Sequence, residues 1–215
     1  MDRRIALKNI GLSFGYVVAT PTILSLLQSC KNENLVTWTP EFLSKDEGDV
    51  LTKLVDILLP KTDTPSASEV NVHIFIDKYA KEIMEEKDQN FFKMAMNKFT
   101  DKALSDAGKD KMKDLTSEDL EPVLANALKV SKEDEVKSFK LIDSYHQAVE
   151  AGEIGVLDDN IARFAFMSSL RGLTIWGFKT SEFIGEEVLA YLPVPGEYIG
   201  CGDLQELTGG KAWSI

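Results

Sequence analysis

The stretch that decides the fold is DNIARFAFMSSLRGLTIWGF, residues 159–178. Wound as a helix, it carries apolar side chains on most sides, with polar interruptions at Arg163, Ser168, Ser169 and Arg171. A helix that is apolar on most sides is either buried at the centre of a domain or covered by a partner. We therefore predict a central helix here, around which the rest of the chain packs.

Five apolar stripes with the period of a helix precede this segment. They occupy residues 51–58, 72–83, 92–103, 120–128 and 136–149. A shorter helix is predicted over residues 181–189, and no run alternates with period 2 long enough to predict a strand. The fold class is therefore all-α, an irregular bundle of about six helices with a C-terminal tail rich in proline, glycine and aromatic residues.

The charge balance excludes one large class of partners. The 215 residues include 24 Lys+Arg and 35 Asp+Glu, which gives a net charge of -11. A chain of this length can bury a core without a disulfide or a metal. Proteins bind the phosphate backbone through lysine and arginine, so a strongly acidic chain is not expected to bind nucleic acid.

The first 30 residues have the pattern of an export signal. Arg3, Arg4 and Lys8 form a basic region, and an uncharged, largely apolar stretch follows over residues 10–27. This order is typical of a secretory signal. The pair Arg3-Arg4 resembles the twin-arginine signal that exports folded proteins, and the residues ending at Cys30 resemble a lipobox, in which the cysteine thiol is acylated.

This pattern predicts three parts of the chain. Residues 1–30 are a twin-arginine-type lipoprotein signal, residues 31–40 a linker, and residues 41–215 the helical domain. Two alternatives stay open, a plain cleaved signal and an uncleaved membrane helix over residues 10–27. All three place the domain outside the cytoplasm, and the lipoprotein prediction places it on the periplasmic side of a Gram-negative cell envelope, anchored in the membrane.

Residue patterns that carry chemistry are scarce. His73 and His146 lie in separate predicted helices, and no HExxH or CxxC spacing supplies further metal ligands. No glycine-rich nucleotide-binding motif is present either. Asp158 and Asp159 stand immediately before or at the start of the central helix, where a negative charge stabilises the helix. We therefore predict no catalytic, cofactor-binding or metal-binding residue in this chain.

The C-terminal part, residues 176–203, is both irregular in pattern and strongly apolar. Such a segment must pack on its own domain or on another protein. We assign it to a partner interface through Trp176, Phe178, Tyr191, Pro193, Pro195, Tyr198 and Cys201. If Cys30 is acylated, Cys201 is the only remaining thiol, and it is then either buried and inert or bonded to another chain.

Several short motifs along the chain resemble one family in their order. They lie at residues 3–4, 59–65, 72–77, 177–182 and 193–198. Together they resemble the gluconate 2-dehydrogenase subunit 3 family, the small subunits of flavin-dependent sugar and polyol dehydrogenases.

The resemblance implies a non-catalytic role in a complex that oxidises a sugar or a glycoside. The partner would be a large subunit of the glucose-methanol-choline type with FAD bound, carried through the twin-arginine translocase by the signal of this chain. A c-type cytochrome would accept the electrons. The alternative is a stand-alone periplasmic lipoprotein that binds a ligand in a pocket of the bundle, and a third hypothesis is an enzyme that uses its own carboxylates.

Overall fold

Seven α-helices account for most of the chain that the computed structural model describes, namely residues 38–192, 194, 196, 199 and 201–214. The helices are α1 (Lys45–Leu58), α2 (Val72–Glu82), α3 (Glu86–Ala107), α4 (Ser117–Leu128), α5 (Lys132–Glu150), α6 (Asp159–Lys179) and α7 (Leu204–Thr208). A 3-10 turn (Met112–Asp114) and a π-helical turn (Ile184–Val188) complete them. Within these residues the extended structure is one isolated bridge, so the all-α prediction is confirmed.

Helix α6 lies at the centre of the bundle, as the sequence predicts. It packs against α1, α2, α3, α4 and α5. Phe166, Met167 and Leu170 are fully buried, and the ring of Phe166 contacts the rings of Phe92 and Phe99 on α3 at centroid distances of 5.3 and 5.5 Å. Each such side chain contributes about 1.5–3 kcal/mol through burial, so the buried side of α6 contributes strongly to core stability.

The helix ends follow local signals in the sequence. Ser44 caps α1, and the Glu47 carboxylate accepts the Ser44 backbone N–H at 2.7 Å. Gly108 ends α3 at a φ of 62°, a conformation that glycine adopts without strain. Asp158 caps α6 by accepting the backbone N–H of Asn160 at 2.8 Å, which confirms its predicted capping role.

A buried carboxylate on α2 fixes the segment that leads into α1. The Asp77 side chain, 1% exposed, accepts three consecutive backbone N–H groups. The donors are Glu41 at 2.7 Å, Phe42 at 3.2 Å and Leu43 at 2.9 Å. Hydrogen bonds to a charged acceptor are the strong ones. The Asp77 carboxylate and the N–H groups of residues 41–43 therefore form a clamp that ties the segment before α1 to the middle of α2.

Two features of the C-terminal region differ from the prediction. The tail is not wholly irregular, since Asp203 caps the short helix α7 by accepting the N–H groups of Gln205 and Glu206. The helix predicted over residues 181–189 is present as the π-helical turn Ile184–Val188.

None of the helices in the described residues has the length and apolar character needed to cross a membrane.

Candidate partner-docking site

A run of exposed apolar side chains occupies the C-terminal region. Their exposed fractions range from 38% to 78%, although such side chains favour burial. The residues are Tyr191, Leu192, Val194, Ile199, Leu204, Leu207 and Trp213. Apolar surface gathered in one region of a soluble domain marks a place where another surface binds.

Apart from Trp213, this run lies in a closed loop, residues 191–211, which we call the C-terminal excursion. The Ala190 N–H donates to the Ala212 carbonyl at 2.9 Å, and the Ser214 N–H donates to the Ala190 carbonyl at 2.9 Å. These two bonds form the bridge between Ala190 and Trp213. The chain therefore begins and ends the C-terminal excursion at the same bridge. Nearly all of the described side chains of the excursion are exposed.

Inside the excursion, the described residues pack against each other locally and do not form a core of their own. A Cβ at Gly202 would lie 2.5 Å from Leu207 Cδ1, so a larger residue there would displace the Leu207 side chain. Gly209, at a φ of 62°, ends α7. Thr208 is the one described residue of the excursion that is buried, at 9% exposure. The described residues of the excursion thus include the short helix α7 and contribute no large side chain to the domain core.

The aromatic residue Trp176 lies on α6 and packs against α2. Its ring meets the rings of Phe75 and Tyr79 edge-on, at centroid distances of 5.1 and 5.5 Å. Gly177 allows Phe75 to come this close, since an added Cβ would lie 2.6 Å from Phe75 Cδ1. Trp176 nevertheless remains 45% exposed, so one part of its ring is fixed by the fold and another faces outward.

The predicted interface residues fall into separate groups. Trp176 and the half-buried Phe178 lie on α6, whereas Tyr191 and Cys201 are exposed in the excursion. Burial of Cys201, one of the two outcomes left open from the sequence, is wrong, because the thiol is exposed and free. Pro193, Pro195 and Tyr198 lie outside the described residues, as do Arg3, Arg4 and Cys30 of the predicted export and lipidation signals.

Sequence reasoning missed several exposed apolar residues of the same region. Phe183 follows α6, Leu204 and Leu207 lie on α7, and Trp213 forms the base of the excursion. A signal for α7 was present, since Asp203 precedes two leucines three residues apart, the pattern of a capped helix. Trp213 has no comparable local signal, because its place depends on a bridge to a residue far along the chain.

Burial and local hydrogen bonds account for the shifted pKa values of two groups. Desolvation lowers the pKa of the half-buried His73, although Asp56 acts to raise it. The ammonium of Lys109, 2.6 Å from the carboxylate of Asp119, and the N–H of Thr116 lower the pKa of that carboxyl from 3.8 to about 2. Within the described residues, no group of three His, Cys, Asp or Glu could hold a metal ion.

Two open grooves mark the bundle surface. One, of about 400 Å³, lies between α3, α4, α5 and α6, with Val123, Leu141 and Phe164 in its apolar lining. The other, of about 330 Å³, includes Tyr79 and His146. The alternative prediction, a ligand pocket in the bundle, would apply to grooves of this kind.

By its fold and this surface, the chain is a helical protein with an exposed apolar C-terminal segment. The model of the gluconate 2-dehydrogenase subunit 3 family matches residues 45–196 of the chain, most of its length. The chain therefore belongs to the gluconate 2-dehydrogenase subunit 3 family, as the sequence motifs predict, and it is accordingly a small subunit of a dehydrogenase complex. No curated protein and no solved structure matches it.

Proposed function

We propose that this chain is the non-catalytic small subunit of a membrane-associated, FAD-dependent sugar or glycoside dehydrogenase complex of the glucose-methanol-choline type. In this proposal the chain exports and stabilises the large subunit that carries FAD. A c-type cytochrome accepts the electrons, and acylated Cys30 anchors the complex on the periplasmic side of the membrane. The C-terminal excursion docks the large subunit.

The observation that carries the proposal is the C-terminal excursion. Its base is fixed at Ala190. The apolar side chains that it exposes are Tyr191, Leu192, Val194, Ile199, Leu204 and Leu207. A preformed apolar segment binds with less loss of conformational entropy than a free tail would. Aromatic side chains such as Tyr191 and Trp213 are the residue types that contribute most at protein interfaces.

The export part of the proposal rests on the signal at Arg3-Arg4. A folded protein with FAD bound can cross only through a system that accepts folded cargo. If the large subunit has no signal of its own, it can cross only while bound to this chain. The excursion and the signal therefore act in sequence, since docking must precede transport.

The experiment is a double substitution, Arg3→Lys with Arg4→Lys, in the native host. The tagged chain is purified from the membrane fraction, and the FAD that comes with it is released and measured by fluorescence. We expect the wild-type chain to carry an FAD protein, and the double variant to leave both this chain and that protein in the cytoplasm. Lys8→Gln, which removes a basic residue outside the pair, is the matched control and should export normally.

Two results would contradict the proposal. An FAD protein that reaches the periplasm in the double variant would disprove transport on this chain. A wild-type chain that is purified from the membrane without any FAD protein would disprove the subunit assignment, and binding of a small molecule in the 400 Å³ groove would then be the hypothesis to test.

A further inference from the structure

The outer face of the second half of α6 has features that the fold does not use. With about 100° between successive residues of a helix, Arg171, Gly172, Ile175, Trp176 and Lys179 share one side of α6, which we call the α6 outer face. Ile175 and Trp176 are each 45% exposed, and Arg171 and Gly172 are exposed as well. Two large apolar side chains thus flank a glycine on an uncovered helix surface.

The same side of α6 is covered in its first half. Phe164 and Ala165 are 3% and 6% exposed, and the ring of Phe139 on α5 packs edge-on against Phe164 at 5.4 Å. Beyond this cover, the described residues supply no helix over the outer face. The outer face of α6 therefore stays accessible to a partner beyond the part that α5 covers.

Gly172 is unexplained by the packing of the domain. A Cβ added there would meet nothing within 4 Å among the described residues. Glycine inside a helix is less favourable than alanine by about 1 kcal/mol, so the isolated domain gains nothing from it. On the surface of α6, Gly172 lies between the side chains of Ile175 and Trp176. A glycine at this position allows the backbone of another helix to approach closely, which a larger residue would prevent.

The charge of this face is opposite to that of the protein. Residues 160–181 contain no Asp or Glu, although the whole chain has a net charge of -11. Within the described part of the chain, neither Arg171 nor Lys179 forms an ion pair. Cations at an interface favour a partner surface with carboxylates in matching positions.

We infer that the α6 outer face binds a helix of the dehydrogenase large subunit, one whose contacting side is apolar and flanked by Asp or Glu. This inference rests on the proposed function and adds a second contact, separate from the C-terminal excursion. The incoming helix lies over Gly172, between Ile175 and Trp176, and its carboxylates pair with Arg171 and Lys179. Phe75 and Tyr79 hold Trp176 in place from below.

Other occupants fit the charges less well. A symmetric pair of these faces would set Arg171 and Lys179 against their own copies, since a two-fold interface brings the same patch together. The N-terminal residues 1–30 carry three basic residues and one acidic residue, so they would meet the face with like charge. Both occupants can still be recognised in the experiment below.

The experiment uses photo-crosslinking in the complex purified from membranes. A benzophenone amino acid replaces Ile175 in the full chain, and the crosslinked peptides are identified by mass spectrometry. The control position is Ile154, which is 92% exposed in the segment between α5 and α6. We expect Ile175 to crosslink to a helical segment of the FAD protein that carries Asp or Glu, and Ile154 not to reach that segment.

A charge-reversal pair tests the electrostatic part in the same complex. Arg171→Glu with Lys179→Glu should weaken the affinity for the large subunit by about 30-fold or more, as for the loss of buried charge pairs. Lys78→Glu with Lys140→Glu is the matched control, because both lysines are exposed and form no ion pair within the described residues. The control should leave the affinity unchanged.

The outcomes separate this inference from the proposed function. If the FAD protein is present but Ile175 crosslinks elsewhere, to a second copy or to residues 1–30, the inference is wrong and the proposed function stands. Equal affinities for the two charge-reversal pairs would also overturn it. If the purified chain carries no FAD protein at all, the proposed function is wrong, and the inference fails with it.

Discussion

Replacing Asp77 by Asn tests the clamp that holds the segment before α1. In the native chain one carboxylate oxygen accepts the Phe42 and Leu43 N–H groups, and the other accepts the Glu41 N–H. Asparagine keeps one acceptor oxygen of nearly the same shape. Its amide nitrogen, placed toward Glu41, sets a donor against a donor, so at least one of the three hydrogen bonds is lost.

The size of the effect follows from these contacts. A lost hydrogen bond to a charged acceptor costs about 1.5–3 kcal/mol, and the two remaining bonds weaken because the acceptor is neutral. We expect the free energy of unfolding to fall by about 3 kcal/mol. For a domain of this size, each kcal/mol corresponds to about 2–4 °C in Tm, so Tm should fall by about 6–12 °C.

The assay is thermal unfolding of the purified chain, followed by circular dichroism at the helical signal. Asp49→Asn is the matched control, since Asp49 is an exposed acidic residue of α1. Its Tm should differ from the wild type by no more than about 2 °C, because surface substitutions change stability by about 0.5 kcal/mol or less. A similar small change for Asp77→Asn would refute the reasoning that the buried carboxylate holds residues 41–43.

Three further predictions follow from other parts of the molecule. Gly172→Ala should raise Tm of the isolated chain by about 2–4 °C through helix propensity, whereas Gly177→Ala should lower Tm, because the new Cβ meets the ring of Phe75. Thermal unfolding measures both variants. A rise in Tm for both would contradict the close packing at Gly177. Lys109→Met should raise the pKa of Asp119 from about 2 toward 3.8, as measured by carboxyl-carbon NMR. Because folding lowers this pKa, the stabilising effect of the ionised Asp119 is complete above about pH 4 and is lost as the pH falls through 2. An unchanged pKa of Asp119 in the variant would rule out Lys109 as the main cause of the lowered pKa. Cys30→Ser should release the complex from the membrane with its dehydrogenase activity retained, and unchanged membrane retention would favour an uncleaved helix or anchoring by the partner.

The helices could be predicted from the sequence because their signals are local. Leu51, Leu54 and Val55 repeat with the helical period. The stripes predicted over residues 92–103 and 136–149 lie within α3 and α5. The central place of α6 was also predictable, since a helix that is apolar on most sides has nowhere else to go. These features depend on residues a few positions apart, which the linear pattern contains.

The parts of the site that were not predicted depend on distant residues. The base of the excursion joins Ala190 to residues 212–214, and no local pattern announces such a pairing. The exposure of Cys201 likewise depends on how the excursion is held, not on its neighbours in sequence. The exposure of the α6 outer face could not be predicted either, because the sequence of a helix that is apolar all round does not indicate which side will stay uncovered.

The closure of the excursion also orders the events of synthesis. The bonds at Ala190 have their partners at Ala212 and Ser214, so the base of the excursion cannot close until residue 214 has left the ribosome. Helices α1 to α6 use only residues that emerge earlier. The bundle can therefore fold while the chain is still being made, but a large subunit that recognises the closed excursion can engage it only afterwards.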